Sequence, residues 1–351
     1  MDAGKVFEFD LHLADIHTLQ IEPTTYCNAR CPHCPRFDST GQVHPDLALG
    51  HLDIRALVAN LELEKMTGLH TVVLEGDKGD PLMHPRIGEI VDLFSSATSQ
   101  PEIRLVTNGS IRSAEWWHAL AQKKYPNLRV IFSIDGLEDT NHLYRVGLDY
   151  ATIMQNVRAF ISGGGHACWK FILFKHNEHQ FENVVELSKT LGFSEFIYTT
   201  CRTGDFQGLS KWPVQQDGTV THYLEPPLSS RHGILKHRHI GTKNYATATH
   251  AERLCPNLAN GQVYITYLGQ VIPCCMMHFD TQLNYPGRDR LQKMTGGFDN
   301  QALTKYTMGE ILNHQFFKTE LKASLQSGNW HLNCVRNCKS QIVNNLKHVQ
   351  S

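Results

Sequence analysis

Six short apolar runs alternate with helix-like stretches between residues 18 and 203, and this alternation constrains the fold more than any other feature. The strand-like runs are HTLQIEPT, HTVVLEG, EIRLVTNG, LRVIFSIDG, WKFILFK and EFIYTTC. Stretches with helical periodicity, such as IGEIVDLFSSA and IMQNVRAFISGGG, separate them. This pattern predicts βα units around a parallel sheet. Because six strands are fewer than the eight of a closed barrel, we expect an open or partial (β/α)6 barrel.

Three further parts flank the predicted barrel at 18–203. Residues 1–17 form a short N-terminal extension. Residues 204–250 are rich in Gly, Pro and polar side chains and predict a connector. Residues 251–351 hold half of the ten cysteines, the hairpin pattern QVYITY–LGQ–VIPC and the helix-like stretch MGEILNHQFFKTELKASL. We therefore expect a small C-terminal α+β domain, built from a β-hairpin and a helix.

Charge and apolar patterning exclude several classes of partner. The formal net charge of −1 gives no electrostatic reason to expect nucleic acid or an anionic membrane. The opening MDAGKVFEFDLHLADIH lacks an apolar signal-peptide region, and runs such as WKFILF are too short to span a bilayer. We therefore expect a cytoplasmic protein with reduced thiols, whose ten cysteines indicate metal binding or catalysis rather than disulfides.

Three cysteines lie close together in the loop after the first predicted strand. Cys27, Cys31 and Cys34 form the pattern C-x3-C-x2-C in YCNARCPHC. In parallel β/α folds, the loops at the carboxyl ends of the strands build the active site. Three thiolates can bind three irons of a cubane cluster and leave the fourth iron open to a reacting molecule, as a catalytic zinc site keeps one position open. A zinc or purely structural site is the alternative.

The spacing and placement of these cysteines resemble the radical S-adenosylmethionine (radical SAM) superfamily. The resemblance implies that SAM binds the open iron of a [4Fe–4S] cluster through its amino and carboxylate groups. It also implies that the reduced cluster cleaves SAM to methionine and a 5′-deoxyadenosyl radical, which takes a hydrogen atom from the substrate. An electron donor of the flavodoxin or ferredoxin type is the partner expected from this chemistry.

The resemblance also implies SAM contacts at other strand ends. Lys78, Gly79 and Asp80 stand where the family has a Gly-Gly-Glu-type turn that receives the SAM amino group, and aspartate keeps the carboxylate. A plain βα turn is the alternative there. The other candidates are His33, in a usually aromatic position near adenine; Asn108 in TNGS; Ser133 and Asp135 at the ribose; and Arg145 at the SAM carboxylate. For Arg145, an ordinary surface arginine is the alternative.

Four later cysteines have a different spacing. Cys255, Gly269 and Cys274 form C-x13-G-x4-C, and NCVRNC then supplies Cys334 and Cys338. This order resembles the auxiliary-cluster region of radical SAM enzymes, the SPASM domain and the shorter twitch domain. The resemblance implies a second [4Fe–4S] cluster, closed by four thiolates, that carries electrons. A four-cysteine zinc site is the alternative, and Cys275 is a spare neighbour that breaks the spacing from the glycine.

Together these patterns predict a radical SAM oxidoreductase that oxidises, cross-links or epimerises a ribosomally made peptide or protein. Dehydrogenation or rearrangement of a small polar metabolite, of aminocyclitol or sugar type, is the alternative. Fewer than 20 residues precede the first strand, so we expect no leader-peptide-binding module there. Cys201 is a candidate hydrogen-atom donor, with a buried core thiol as the alternative. A non-catalytic iron–sulfur or zinc protein remains the alternative of another class.

Overall fold

The computed structural model describes residues 10–38, 40–201, 210–216, 218–228, 255–278, 281, 287–326 and 344–347. The strands in these residues are β1 (Thr18–Ile21), β2 (Thr71–Leu74), β3 (Glu102–Thr107), β4 (Leu128–Ser133), β5 (His166–Leu173), β6 (Glu195–Thr200), β7 (Trp212–Gln216), β8 (Thr219–Leu224), β9 (Gln262–Ile265), β10 (Val271–Ile272) and β11 (Asn344–Lys347). The α-helices are α1 (Ile54–Asn60), α2 (Ile87–Ser95), α3 (Ala114–Gln122), α4 (Asn141–Tyr144), α5 (Tyr150–Ser162), α6 (Phe181–Leu191), α7 (Pro256–Ala259), α8 (Cys275–His278), α9 (Arg288–Thr295), α10 (Met308–Asn313) and α11 (Leu321–Gln326).

Strands β1 to β6 are neighbours in chain order, and every pair among them runs parallel. Alternate strand positions bury apolar side chains against the helices. Phe132 of β4, for example, has its ring centroid 5.1 Å from that of Trp117 in α3 and 6.0 Å from that of Phe160 in α5. Burying each such side chain contributes about 1.5–3 kcal/mol. This arrangement confirms the predicted partial barrel and brings six strand ends to one edge of the sheet.

The C-terminal hairpin extends the barrel sheet. Strand β9 pairs parallel with β1, and β10 pairs antiparallel with β9, as the hairpin pattern predicted. Strand β11 adds antiparallel to β6 at the opposite edge. The hairpin is followed by α8, which begins directly after Cys274 and whose last residue, His278, contacts Glu22 after β1 and Lys78 after β2. The boundary between a barrel and a cluster domain at 251 stays a prediction.

Two predicted helices differ from the observed ones. The helical periodicity of IRALVANLELEKMTG, residues 54–68, predicts one continuous helix after the cysteine loop. In the structure α1 ends at Asn60, and Glu62 takes a left-handed φ of 54°. The Glu62 carboxylate accepts hydrogen bonds from Lys65 Nζ (2.6 Å) and from the backbone N of Gly309 (2.7 Å) in α10. A tertiary contact thus overrides local helix propensity. The later stretch MGEILNHQFFKTELKASL divides between α10 and α11, with a π-helical turn at Phe316–Glu320 between them.

The predicted connector contains regular structure. Strands β7 and β8 form an antiparallel hairpin with an irregularity between Val214 and Gln215. Residues 204–209, 217 and 229–250 of the connector lie outside the described residues. Among the helices that the structure describes, none is long and apolar enough to cross a membrane.

Candidate active site

The loop between β1 and α1 carries Cys27, Cys31 and Cys34 at the carboxyl end of β1. Its backbone is held by hydrogen bonds, from Cys34 N to Cys31 O (3.0 Å) and from Arg30 N to Val146 O (2.8 Å). Cys31 is buried, and the other two thiols are half-buried. The Sγ atom of Cys34 lies 3.9 Å from the backbone oxygen of Asp77, in the loop after β2. The cysteine loop therefore packs against the neighbouring strand end.

Burial controls the ionisation of these thiols. It raises the pKa of Cys27 to about 11 and that of Cys34 to about 12, and it also raises the pKa of Cys31. The raised pKa of Cys27 also includes repulsion from Cys31, and that of Cys34 includes repulsion from both Cys31 and Cys27. The positive charge of iron stabilises thiolates in such surroundings. The donor set therefore fits an iron–sulfur cluster.

Within the described ranges, no three His, Cys, Asp or Glu side chains are grouped so that they hold one metal ion. A cubane cluster requires a different arrangement, because each cysteine binds its own iron. Cys27, Cys31 and Cys34 would be the ligands of three irons.

A buried ion pair borders the cysteine loop. The Nε atom of Arg145 donates to Oδ2 of Asp135 at 2.6 Å, and its Nη1 lies 3.6 Å from Sγ of Cys31. The side chain of Arg145 is 15% exposed and that of Asp135 is fully buried. Asp135 Oδ1 also accepts from the backbone N of Ile172 (2.5 Å). Arg145 is therefore not a surface arginine. Its contact with the SAM carboxylate stays a prediction.

Asp80 and Asn108 join three strand ends. The Asp80 carboxylate accepts from Leu82 N (3.0 Å), Thr107 Oγ1 (2.9 Å) and Asn108 N (2.7 Å). The Asn108 side chain donates to Oδ1 of Asn28 in the cysteine loop at 2.9 Å. Through these hydrogen bonds, Asp80 holds the loop after β2 against the end of β3. A contact between Asp80 and the SAM amino group stays a prediction, and it would compete with these hydrogen bonds.

The remaining predicted SAM residues lie at the same edge of the sheet. Ser133 is buried at the end of β4. His33 is half-buried, and its ring meets the edge of Trp212 at a centroid distance of 4.8 Å. Trp212 belongs to β7, within the predicted connector. Nothing in the sequence linked that tryptophan to the cysteine loop.

Gly79 lies where no side chain fits. A Cβ atom at this position would be 1.8 Å from the backbone oxygen of Thr24, which cannot move away as a flexible side chain would. Gly79→Ala should therefore destabilise the protein by about 3 kcal/mol or more, measured by chemical denaturation. Gly88 in α2 is the matched control, because its Cβ would meet nothing within 4 Å. We expect Gly88→Ala to stabilise the protein by a few tenths to about 1 kcal/mol. Equal stability of the two variants would contradict the close packing of this loop.

A buried polar cluster was missed by sequence reasoning: Glu22, Asp77, Lys78, Tyr264 and His278, here called the His278 cluster. Lys78 Nζ lies 3.1 Å from His278 Nε2, and the Tyr264 hydroxyl lies 3.3 Å from His278 Nδ1. Glu22 Oε2 and Asp77 Oδ2 lie 3.2 and 3.6 Å from the same Nδ1. The only sequence signals were an acid directly after a buried strand and a histidine four residues after a cysteine.

Burial dominates the electrostatics of the His278 cluster. It raises the pKa of Glu22, with repulsion from Asp77 as the next cause, and it raises the pKa of Asp77. It lowers the pKa of Lys78, against attraction from both carboxylates, and it holds the pKa of His278 well below its usual range. His278 is therefore a neutral imidazole at neutral pH.

Only part of the predicted auxiliary site is described. Cys255 directly precedes α7 and Cys274 lies two residues after the end of β10, so both lie at the same end of the β9–β10 hairpin. Cys274 is buried and Cys275 is half-buried. Cys334 and Cys338 lie outside the described residues. The ligand set of this site stays a prediction.

Cys201, the candidate hydrogen-atom donor, is buried after the end of β6. It packs in a small apolar cluster with Phe174, Val214 and Leu224. This environment matches the alternative of a core thiol, and a catalytic role for Cys201 stays a prediction.

Residues 21–188 match the family model described as the Radical SAM superfamily. This segment, a little under half of the chain, therefore resembles radical SAM domains, which belong to enzymes that bind SAM and a [4Fe–4S] cluster. GTP 3′,8-cyclase of Microcystis aeruginosa (strain NIES-843 / IAM M-2473) is 34% identical over 95 residues, which are 27% of this chain and 28% of the cyclase.

Two solved structures of Streptococcus suis SuiB share the fold. SuiB bound to precursor peptide SuiA has a TM-score of 0.53 at 15% identity, covering 86% of this chain and 67% of SuiB. SuiB bound to S-adenosylmethionine has a TM-score of 0.51 at 15% identity, covering 75% and 61%. The chain thus spans less than two thirds of the cyclase and of the SAM-bound SuiB chain. At these identities the likeness to SuiB concerns the fold alone.

Proposed function

We propose that this protein is a radical SAM oxidoreductase that modifies a ribosomally made peptide or protein in the cytoplasm. When bound at Cys27, Cys31 and Cys34, a four-iron cluster and SAM supply a 5′-deoxyadenosyl radical for hydrogen-atom abstraction. A flavodoxin- or ferredoxin-type protein would supply the electron. The precursor peptide bound by SuiB is the reason to prefer a peptide substrate over a small polar metabolite.

One observation carries the proposal: groups from four strand ends meet at the cysteine loop. Arg145, after β4, contacts Cys31; the backbone of Asp77, after β2, contacts Cys34; and Asn108, after β3, contacts Asn28. In parallel β/α folds this edge of the sheet is where ligands bind. An open set of three thiols at that edge supports a catalytic cluster over a structural one.

The protein's own groups have separate tasks in this proposal. Asp135 fixes the Arg145 guanidinium, which keeps N–H donors and a full positive charge beside the cysteine loop. A planar guanidinium suits a carboxylate, so Arg145 would hold the SAM carboxylate. Cys31 is buried and the other two thiols are half-buried, which limits the access of water that would quench reactive species.

We further propose a twitch-type auxiliary cluster at Cys255, Cys274, Cys334 and Cys338. Closed by four thiolates, it would accept an electron from the substrate radical and make the net reaction an oxidation or cross-link. Position 274 is preferred over 275 because of its spacing from Gly269.

The substrate class is tested by isotope transfer. The anaerobically reconstituted protein should contain about eight irons per chain if both four-iron clusters form. It is incubated with SAM, dithionite and either a perdeuterated peptide encoded beside its gene or a perdeuterated aminocyclitol. We expect deuterium in 5′-deoxyadenosine from the peptide only. Deuterium from the aminocyclitol alone would establish the metabolite alternative. Zinc in place of iron, with no SAM cleavage, would contradict the enzyme proposal.

A double variant tests the auxiliary cluster separately from the SAM-binding cluster. Cys334→Ala with Cys338→Ala should retain SAM binding and about four irons, and lose substrate oxidation. Retention of full substrate turnover in this variant would contradict an auxiliary cluster at these positions.

A further inference from the structure

The His278 cluster connects parts of the chain that are far apart in sequence. Glu22 follows β1, Asp77 and Lys78 follow β2, Tyr264 lies in β9, and His278 ends α8. Glu22, Lys78, Tyr264 and His278 are each at most 1% exposed. Burying ions costs several kcal/mol each and is weak evidence for stability, so such a cluster requires another explanation.

Hydrogen bonds connect His278 to both Lys78 and Tyr264. The Lys78 ammonium has only donors, so His278 Nε2 accepts and the neutral imidazole carries its proton on Nδ1. Nδ1–H then donates to the Tyr264 oxygen at 3.3 Å, and Asp77 Oδ2 lies 3.6 Å from the same Nδ1. Asp77 and Lys78 are consecutive residues, so His278 lies against two neighbouring side chains of one loop. His278 is the member that reaches this loop from the C-terminal segment.

Lys78 is also held through its backbone. Its N–H donates to Glu22 Oε1 at 2.7 Å, and its carbonyl oxygen accepts from the Arg36 guanidinium. Glu22 Oε2 lies 3.2 Å from His278 Nδ1. His278 therefore contacts the Lys78 side chain directly, and it lies beside Glu22, which binds the Lys78 backbone. Arg36, in the cysteine loop, binds the carbonyl oxygen of Lys78.

We propose that His278 is a positioning residue that couples the C-terminal segment to the SAM-binding loop after β2. This inference rests on the proposed role of Lys78, Gly79 and Asp80 at the SAM amino group. With His278 in place, the loop is held in one conformation before SAM arrives. Without His278, part of the SAM binding energy is used to order the loop, so the affinity for SAM falls. The rate of SAM cleavage at saturating SAM is unchanged. By reciprocity, SAM also stabilises the docking of α8.

His278→Leu removes the acceptor for Lys78 and the donor to Tyr264. We expect SAM to bind at least about tenfold more weakly, a loss of about 1.4 kcal/mol, in anaerobic calorimetry of the reconstituted protein without reductant. The KM for SAM should rise in proportion, while kcat for 5′-deoxyadenosine formation stays within about threefold of the unmodified protein. His278→Gln keeps an acceptor and a donor at similar spacing, and it should restore affinity to within about threefold.

A control histidine lies in the same C-terminal segment. His314 is half-buried and hydrogen bonds to Gln301 (3.0 Å), so His314→Leu tests a general effect of losing a packed imidazole. We expect it to keep the affinity for SAM. Tyr264→Phe is a milder second variant, used if His278→Leu does not fold. It removes the hydroxyl that accepts from His278 Nδ1–H and should weaken SAM binding by about threefold to tenfold.

The outcomes are distinct. Unchanged SAM affinity in His278→Leu, or in Tyr264→Phe when it replaces that variant, overturns the proposal. An equal loss of SAM affinity in His314→Leu overturns it as well, and so does a His278→Gln variant that binds SAM as weakly as His278→Leu. In either case the hydrogen bonds of His278 would not be the cause of the loss. A reconstituted unmodified protein that binds no SAM would instead refute the proposed function.

Discussion

Replacing Cys27, Cys31 and Cys34 together by alanine should abolish SAM cleavage and remove about four irons per chain, the largest effect expected of any change. The three thiols are the predicted protein ligands of the open cluster, and alanine cannot bind iron. The loss is measured as iron content after anaerobic reconstitution and as 5′-deoxyadenosine formed with SAM and dithionite. The auxiliary site should keep its own irons, so the variant isolates the cluster at the end of β1.

Cys168→Ala is the matched control for this loss. Cys168 is a fully buried thiol near the amino end of β5, away from the carboxyl ends of the strands where the cysteine loop lies. Its replacement should cost about 1 kcal/mol of unfolding free energy and leave iron content and SAM cleavage intact. If the triple variant still cleaves SAM while Cys168→Ala does not, the cluster is not at Cys27, Cys31 and Cys34.

Arg145→Met should be the most destabilising single change at the ion pair beside the cysteine loop. It leaves the Asp135 carboxylate fully buried with no cation, and breaking a buried pair in this way costs about 3–5 kcal/mol. Denaturant unfolding of the iron-free protein measures this cost without the cluster. In the double variant with Asp135→Asn, most of the loss should be recovered, because no buried charge remains.

An exposed pair provides the comparison for Arg145. Arg86 and Glu89 also form an ion pair, but their side chains are 46% and 51% exposed. Arg86→Met should therefore change the unfolding free energy by less than about 1 kcal/mol. If Arg145→Met costs no more than Arg86→Met, the pair with Asp135 does not hold this edge of the barrel together.

The parts of the fold that local pattern determines were predictable. Six strand-like runs separated by helical periodicity gave the parallel order β1 to β6, since side-chain period and connection length are local properties. The hairpin of β9 and β10 followed from two apolar runs around a turn with Gly269. The cysteine loop followed in the same way, because its three thiols lie within eight residues.

The parts that depend on tertiary placement were not predictable. His278 meets Lys78 across 200 residues, and no feature near either residue indicates the other. Trp212 meets His33 from a stretch with connector composition. The sequence predicts Asp80 as a ligand for an ammonium group, but it does not indicate the hydrogen bonds that its carboxylate accepts from Thr107 and the backbone of Asn108. Such contacts are set by which strand ends meet, and not by local propensity.

The most direct test of the account is SAM cleavage by the unmodified protein. After anaerobic reconstitution with iron and sulfide, the protein is mixed with SAM and dithionite, and the products are separated and quantified. The account predicts 5′-deoxyadenosine and methionine in equal amounts, formed only when both the reductant and the cluster at Cys27, Cys31 and Cys34 are present. Intact SAM after reduction of a fully iron-loaded protein would contradict it.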